Sequence, residues 1–155
     1  MLADSSHEPA AMRSRWMSVL AKSSVDDLDA MWTGSDRDIA VVWLRKPQVG
    51  LVMVRGRAGA TGNPFNLGEM TVTRCSLRYE NGIVGHGYVQ GRNRRQAELA
   101  ARLDALLQQP NRQSELLATV IEPLHQRQVA RRMERSRKAA STKIEFFTMV
   151  RGENA

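Results

Sequence analysis

A single cysteine, Cys75, stands in the 155 residues. No disulfide can therefore form within the chain, and no cysteine-ligated cluster can be built from it alone. Its surroundings favour a small buried strand residue. Aromatics supply only 5% of the residues, so the core must rest on Leu, Val, Ile, Met and Ala. Lysine is scarce, confined to Lys22, Lys46, Lys138 and Lys143. The longest purely apolar run, Ile39–Leu44, is far too short to span a bilayer. The N-terminal MLADSSHEPAAMRSRWM lacks the apolar centre of a secretory signal. A soluble, cytoplasmic protein without membrane contact is expected. His7, His86 and His125 lie apart from other good ligands, so no metal site is expected from this chain alone. Ser and Thr occur without a nucleophile-elbow context.

Forty-two per cent of the residues are apolar, which fits one folded domain over 1–155. The eight methionines suit adaptable core packing or a plastic partner surface. Lys and Arg outnumber Asp and Glu by 23 to 16, giving a formal charge of +7. Such a field favours nucleic acid, phosphorylated small molecules or an acidic protein surface. Arginine supplies most of it, and its planar fork suits bidentate grip on carboxylate or phosphate. Genomic base bias would produce the same excess.

The order of patterns is α+β. Met12, Trp16, Val19 and Leu20 recur at helical spacing over 8–22. Ser24 with Asp27 marks the start of a second helix, Leu28, Met31 and Trp32 form its apolar face, and Gly34 offers a stop. Residues 1–36 thus read as a helical hairpin. A β-meander of about four strands follows over 39–91: Ile39–Arg45, then Leu51–Arg57 beyond a Lys46-Pro47-Gln48 connection, then Met70–Glu80 and Ile83–Gln90. Residues 58–68 read as loop. Helices fill 93–141, starting from Asn93 with Gln96 as a capping box. Leu99, Leu103, Leu106 and Leu107 form a core stripe, and Leu117, Val120, Ile121 and Leu124 form another around Pro123. From Arg127 to Lys138 Val129 and Met133 alone offer an apolar i,i+4 contact among many arginines, so this helix lacks its own anchor. It reads as a solvated helix, a partner-docking arm or a nucleic-acid contact. Lys143–Val150 returns to strand character, a final strand rejoining the sheet or pairing with another subunit.

Asn81-Gly82 between the last two meander strands is a strong hairpin signal. A two-residue turn sets Tyr79 opposite Val84, Leu77 opposite His86 and Cys75 opposite Tyr88 as the buried face. The other face then carries Arg78 opposite Gly85, Ser76 opposite Gly87 and Arg74 opposite Val89. Two glycines there leave room for a partner backbone, an arginine or a ligand to lie flat. On this register His86 is a hydrogen-bonded buried aromatic rather than a catalytic residue.

The segment GLVMVRGRAGATGNPFNLGEMTVTRC, residues 50–75, invites an anion-binding reading. Gly56, Gly59 and Gly62 permit a nest of backbone N–H groups, and Arg57 and Arg74 flank the loop. It lacks the GK[ST] ending of a P-loop. Gly91-Arg92, before the Asn93 cap, is a second candidate grip. For Arg57, Arg74 and Arg92 the alternative is salt bridging within the chain or between subunits. Glu69 is a possible acid or base, or a strand-edge charge. No self-sufficient catalytic constellation emerges, and no catalytic residue is assigned.

Six segments in order resemble the PhnG family, the small subunit of the bacterial carbon–phosphorus lyase machinery. They are RxRWMSVLA (13–21), GLVMVRGRAGATG (50–62), LGEMTVTR (67–74), GYVQGR (87–92), the AE…DALLQQ run (97–109) and FFTMVRGENA (146–155). The resemblance implies a core complex with PhnH, PhnI and PhnJ, joined by PhnK and PhnL. It implies that the complex uses ATP and an alkylphosphonate such as methylphosphonate, releasing adenine and forming a ribose 1-alkylphosphonate 5-triphosphate. PhnI would carry the nucleosidase chemistry, PhnJ the later radical step, and this chain an accessory role without a cofactor of its own. Arg57, Arg74 and Arg92 would contact PhnI or a triphosphate-bearing ligand. The rival readings are a basic nucleic-acid-binding module and a free-standing enzyme. Missing interleaved aromatics argue against the first, and the missing acid–base set argues against the second.

Overall fold

The computed structural model describes residues 7–59 and 61–151, with side chains for 10–34, 36–59 and 61–141. The described residues form two compact units that divide between Leu124 and His125. In the first, α1 (His7–Lys22) and α2 (Val25–Met31) form the expected helical hairpin. Ser24 caps α2: its hydroxyl oxygen accepts the Asp27 backbone N–H at 3.2 Å. Trp16, Val19 and Leu20 of α1 are buried, as are Leu28 and Trp32, whereas Met12 lies largely outside the core.

The sheet has three antiparallel strands, β1 (Val42–Arg57), β2 (Pro64–Arg78) and β3 (Val84–Gln90), in the order β1-β2-β3. The expected first two strands are one. Lys46-Pro47-Gln48 is not a connection but an irregularity inside β1, where the register jumps from Arg45↔Ser76 to Gln48↔Arg74. Proline lacks an N–H and is tolerated in a strand at an edge or a bulge, and this site is both. The loop expected over 58–68 is also shorter, because β2 begins at Pro64. β1 and β2 therefore run on past β3 as a two-stranded ribbon ending at Arg57↔Pro64.

The β2–β3 register differs by one residue from the expected one. Tyr79 N–H donates to the Ile83 carbonyl at 3.0 Å and Gly82 N–H to the Tyr79 carbonyl at 2.9 Å. The loop is thus the three residues Glu80-Asn81-Gly82, with Gly82 at φ +85° and Asn81 Oδ1 accepting the Ile83 N–H at 3.1 Å. A type I turn closed by one left-handed glycine replaces the two-residue turn. A one-residue slip turns β3 over relative to β2. Cys75 pairs with Gly87 and Leu77 with Gly85 on the buried face, while Arg74 pairs with Tyr88, Ser76 with His86 and Arg78 with Val84 on the other. His86 is consequently exposed rather than buried.

What lies flat on the glycines is α3 (Arg94–Leu107) of the same chain. A Cβ on Gly87 would stand 2.0 Å from the Ala97 carbonyl oxygen, and one on Gly85 2.0 Å from that of Ala101. Ala97, Ala101 and Ala105 recur every four residues and are fully buried, so one helical face of methyl groups meets two positions with no side chain at all. Leu99, Leu103, Leu106 and Leu107 turn to the remaining core, with Leu20, Leu28, Leu77, Val89, Ile121 and Leu124. Asn93 caps α3 by accepting the Gln96 N–H at 3.0 Å. The Gln96 side chain does not complete a capping box; its amide donates instead to the Ser23 carbonyl at 2.6 Å, tying α3 to the α1–α2 junction.

Asp104 of α3 is buried with no exposure. Arg13 of α1 grips it with two guanidinium donors, Nε to Oδ1 at 3.1 Å and Nη2 to Oδ2 at 2.7 Å. Trp16 Nε1 adds a bond to Oδ1 at 2.9 Å and the His86 backbone N–H one to Oδ2 at 2.9 Å. One carboxylate thus joins α1, α3 and β3.

Beyond α3 come α4 (Pro110–Leu116), a π turn (Leu117–Ile121) and α5 (Glu122–Arg151). Pro123 neither breaks nor separates helices. It lies in the first turn of α5, and the widened turn before it lets the Glu122 N–H reach the Leu117 carbonyl. The final strand expected over 143–150 is helical, because α5 runs to Arg151. No Gly or Pro interrupts the sequence between Leu124 and Arg151, so extending an existing helix is cheap, whereas the β preference of Ile and Phe depends on a sheet context. Side chains beyond residue 141 and residues 152–155, the end of FFTMVRGENA, lie outside the described residues. In the second unit, residues 131–141 are exposed, and Glu134 pairs with Lys138 at 3.0 Å.

Gly87→Ala should lower the unfolding free energy by about 3 kcal/mol in chemical denaturation, because backbone must move to admit the methyl group. Gly50→Ala, with nothing within 4 Å of the new carbon, should change it by less than about 0.5 kcal/mol. Asp104→Ala should lose about 3–5 kcal/mol by stranding Arg13, Trp16 and a backbone donor. Arg13→Met should lose less, since the carboxylate keeps the Trp16, His86 and Gln108 donors; equal losses would show that these bonds carry nothing.

Candidate functional site

The singled-out arginines fall at three separate places. Arg57 ends β1 at the ribbon tip, opposite Pro64. Arg74 lies ten positions along β2 from Pro64, about 30 Å at the usual rise per residue. Arg92 follows Gly91, whose φ of +92° turns the chain from β3 toward α3. Arg57 and Arg74 therefore do not close on one ligand.

The glycine loop is partly self-satisfied. Gly62 N–H donates to the Ala58 carbonyl at 3.1 Å and Thr61 N–H to the Gly59 carbonyl at 2.8 Å. Arg57 Nη1 donates to the Gly62 carbonyl at 3.3 Å. Gly59 has φ +60°, while Gly62 is required by space, since a Cβ would lie 2.7 Å from the Ala58 oxygen. Gly56 sits within β1 opposite Phe65. These contacts make a tight ribbon turn, and two of the N–H groups that an anion nest would use point to loop carbonyls. At the other candidate, the Gly91 carbonyl accepts the Thr73 hydroxyl at 2.7 Å and the α3 cap is taken by Asn93.

Around Arg74 the corrected register assembles a different surface. The face of the sheet opposite α3 carries three cross-strand rows: Val42, Arg78 and Val84; Arg45, Ser76 and His86; Gln48, Arg74 and Tyr88. Arg45, Arg74, Arg78, His86 and Tyr88 are exposed. Ser76 Oγ and His86 Nδ1 lie 2.9 Å apart in a hydrogen bond. No carboxylate stands in these rows, and among the described residues Arg45, Arg74 and Arg78 make no ion pair. Elsewhere in the first unit Arg13 pairs with Asp104, Arg37 with Asp29, Arg102 with Glu98 and Arg112 with Asp36, while Arg55, Arg57, Arg92 and Arg94 stand apart, outside these rows. The expected hairpin already sets Arg78, Ser76 and Arg74 on one face, opposite glycines; His86 and Tyr88 join them through the corrected β2–β3 register and Arg45 through the β1–β2 pairing.

The face that α3 covers continues uncovered along the ribbon. Leu51, Met53 and Leu67 are exposed at 61%, 51% and 66%, more than isolated surface leucines would require. Glu69, opposite Met53, is a charge on this apolar stripe with no basic neighbour in its row.

Cys75 is no nucleophile. Burial pushes its thiol up to about 11 from 9.0; the Gly87 N–H partly opposes this and the charge of Glu98 adds to it. The thiol donates to the Ala97 carbonyl at 3.1 Å. Among the described residues no three His, Cys, Asp or Glu side chains gather as a metal cage, and no helix is long and apolar enough to cross a membrane.

A family model described as "Phosphonate metabolism protein PhnG" matches residues 11–152. The chain is 41% identical over 149 residues, 93% of its own length and 92% of the other, to the alpha-D-ribose 1-methylphosphonate 5-triphosphate synthase subunit PhnG of Rhizobium meliloti (strain 1021).

The raised Cys75 value gives a pH dependence with a definite sign. Between pH 9.0 and about 11 the unfolded thiol ionises while the folded one keeps its proton, so the contribution is full below this window and lost as pH rises through it. Denaturation curves across the window should show the wild type losing stability relative to Cys75→Ala. Parallel curves would mean that the thiol is not shifted.

Proposed function

The chain belongs to the PhnG family of phosphonate-metabolism proteins, and from that premise we propose that it is a subunit of a ribose 1-methylphosphonate 5-triphosphate synthase. The observation that carries this reading is the near full-length identity to a subunit of that name. The reaction joins methylphosphonate to C1 of the ribose of ATP and expels adenine. The C1–N bond breaks, a C1–O bond to the phosphonate forms, and the departing base takes a proton. Such a step needs an acid at the base and cations at the triphosphate.

On this reading PhnI supplies the acid–base groups, and the present chain shapes the shared site and supplies guanidinium charge. Arg57, Arg74 and Arg92 contact PhnI or the triphosphate-bearing ligand, at separate places on the surface. The assembly is a cytoplasmic hetero-oligomer with PhnI, PhnH and PhnJ, joined by PhnK and PhnL. Two features favour a subunit over a solitary protein. Leu51, Met53 and Leu67 expose apolar area on the ribbon, and residues 131–141 form a basic helix with no buried side chain. Both suit surfaces that a partner covers.

Deleting the chain should abolish growth on methylphosphonate as sole phosphorus source, and re-expression should restore it. Arg57→Ala and Arg74→Ala should each reduce turnover or assembly of the reconstituted complex about tenfold, the loss expected for one charged hydrogen bond. Unchanged assembly and turnover in both variants would remove the arginine contacts from the proposal.

A further inference from the structure

We infer that the open face of the sheet, with Arg45, Arg74 and Arg78 around the Ser76–His86 pair and Tyr88 beside them, binds the triphosphate ester of a ribosyl compound. This rests on the reading of the chain as a synthase subunit and names which of its surfaces meets the nucleotide.

The charge distribution comes first. In a chain that neutralises Arg13, Arg37, Arg102 and Arg112 with carboxylates, three arginines share one face that offers none. Like charges on neighbouring strand positions repel. A ligand with several negative charges relieves all three at once; a single carboxylate relieves one.

Dimensions agree. Arg74 and Arg78 are four residues apart on β2, about 13 Å along the strand. Arg45 lies across from Ser76, between them, on the neighbouring strand. Three long side chains thus flank one patch of the sheet, with a hydroxyl and an imidazole between them. Arg fits phosphate oxygens two at a time. The imidazole uses Nδ1 toward Ser76, leaving Nε2 for the ligand.

Tyr88 supplies the second recognition element. The residue is 46% exposed and pairs with Arg74 across the strands. An aromatic ring beside a guanidinium is a stacking platform for a nucleobase. The surface is also stiff, because the His86 N–H is held by Asp104 and the Val84 carbonyl by the Gln108 amide at 2.8 Å. A protein partner would need an apolar centre. The contiguous apolar stripe lies on the opposite face of the ribbon, at Leu51, Met53 and Leu67, whereas here Val42 sits at the margin, in the row of Arg78.

The test is calorimetric titration of the full-length chain with ATP, inorganic tripolyphosphate and adenosine. ATP and tripolyphosphate should bind and weaken as salt is raised, and adenosine should bind far more weakly. Arg45→Gln, Arg74→Gln and Arg78→Gln should each weaken tripolyphosphate about tenfold. Tyr88→Leu should weaken ATP and leave tripolyphosphate unchanged, which separates the ester from the free polyphosphate. Circular dichroism of these exposed-site variants should match the wild type. No binding by the wild type, or binding indifferent to all three arginines, would overturn the inference. Failure of the chain to restore growth on methylphosphonate would instead overturn the subunit reading beneath it.

Discussion

The first unit is organised around a carboxylate that has left water. Asp104 has no exposure, and burying a charge that deeply is unfavourable unless partners meet it. Its closest donors come from Arg13, Trp16 and the His86 backbone, with the Gln108 amide at 3.5 Å, so α1, α3 and β3 must all be in place before the charge is satisfied. Hydrophobic burial drives these elements together without fixing their rotation or register. The directional bonds of Asp104 select one arrangement among the greasy alternatives.

That arrangement divides the labour between the two sides of the sheet. Contact between α3 and β3 requires Gly85 and Gly87, and those glycines fall on the α3 side only if the hairpin takes its three-residue loop. The same loop brings His86 and Tyr88 to the side that carries Arg74 and Arg78. The interior packing and the exposed arginine face are therefore one consequence of one register. A mutation that shifted the loop would disturb both together.

Much of this was legible in the residues. Ser24 and Asn93 marked helix starts, the leucine stripe of α3 marked the core, and six ordered segments carried the family. The failures share a physical cause. Asn81-Gly82 suggested a two-residue turn because local dihedral preference was the only guide; the close approach of α3 to Gly87 is a long-range constraint that favours the longer loop. Pro47 suggested a break because a proline in a central strand would be one, and only the strand order reveals β1 as an edge. Lys143–Val150 suggested a strand because β propensity was weighed without asking what would pair with it. Within the site, Arg74 and Arg78 share a face in any strand reading of β2, whereas Arg45, His86 and Tyr88 became their neighbours only through cross-strand register.

Pro47 has a further effect through its position on β1. The outer side of that strand pairs with no other strand in the sheet, and an uninterrupted edge of this length invites another copy to zip on. A missing donor at residue 47, two local register jumps and the adjoining Arg45 and Lys46 divide that border into short, mismatched, mutually repelling stretches. That border is accordingly a poor template for fibril growth between folded copies.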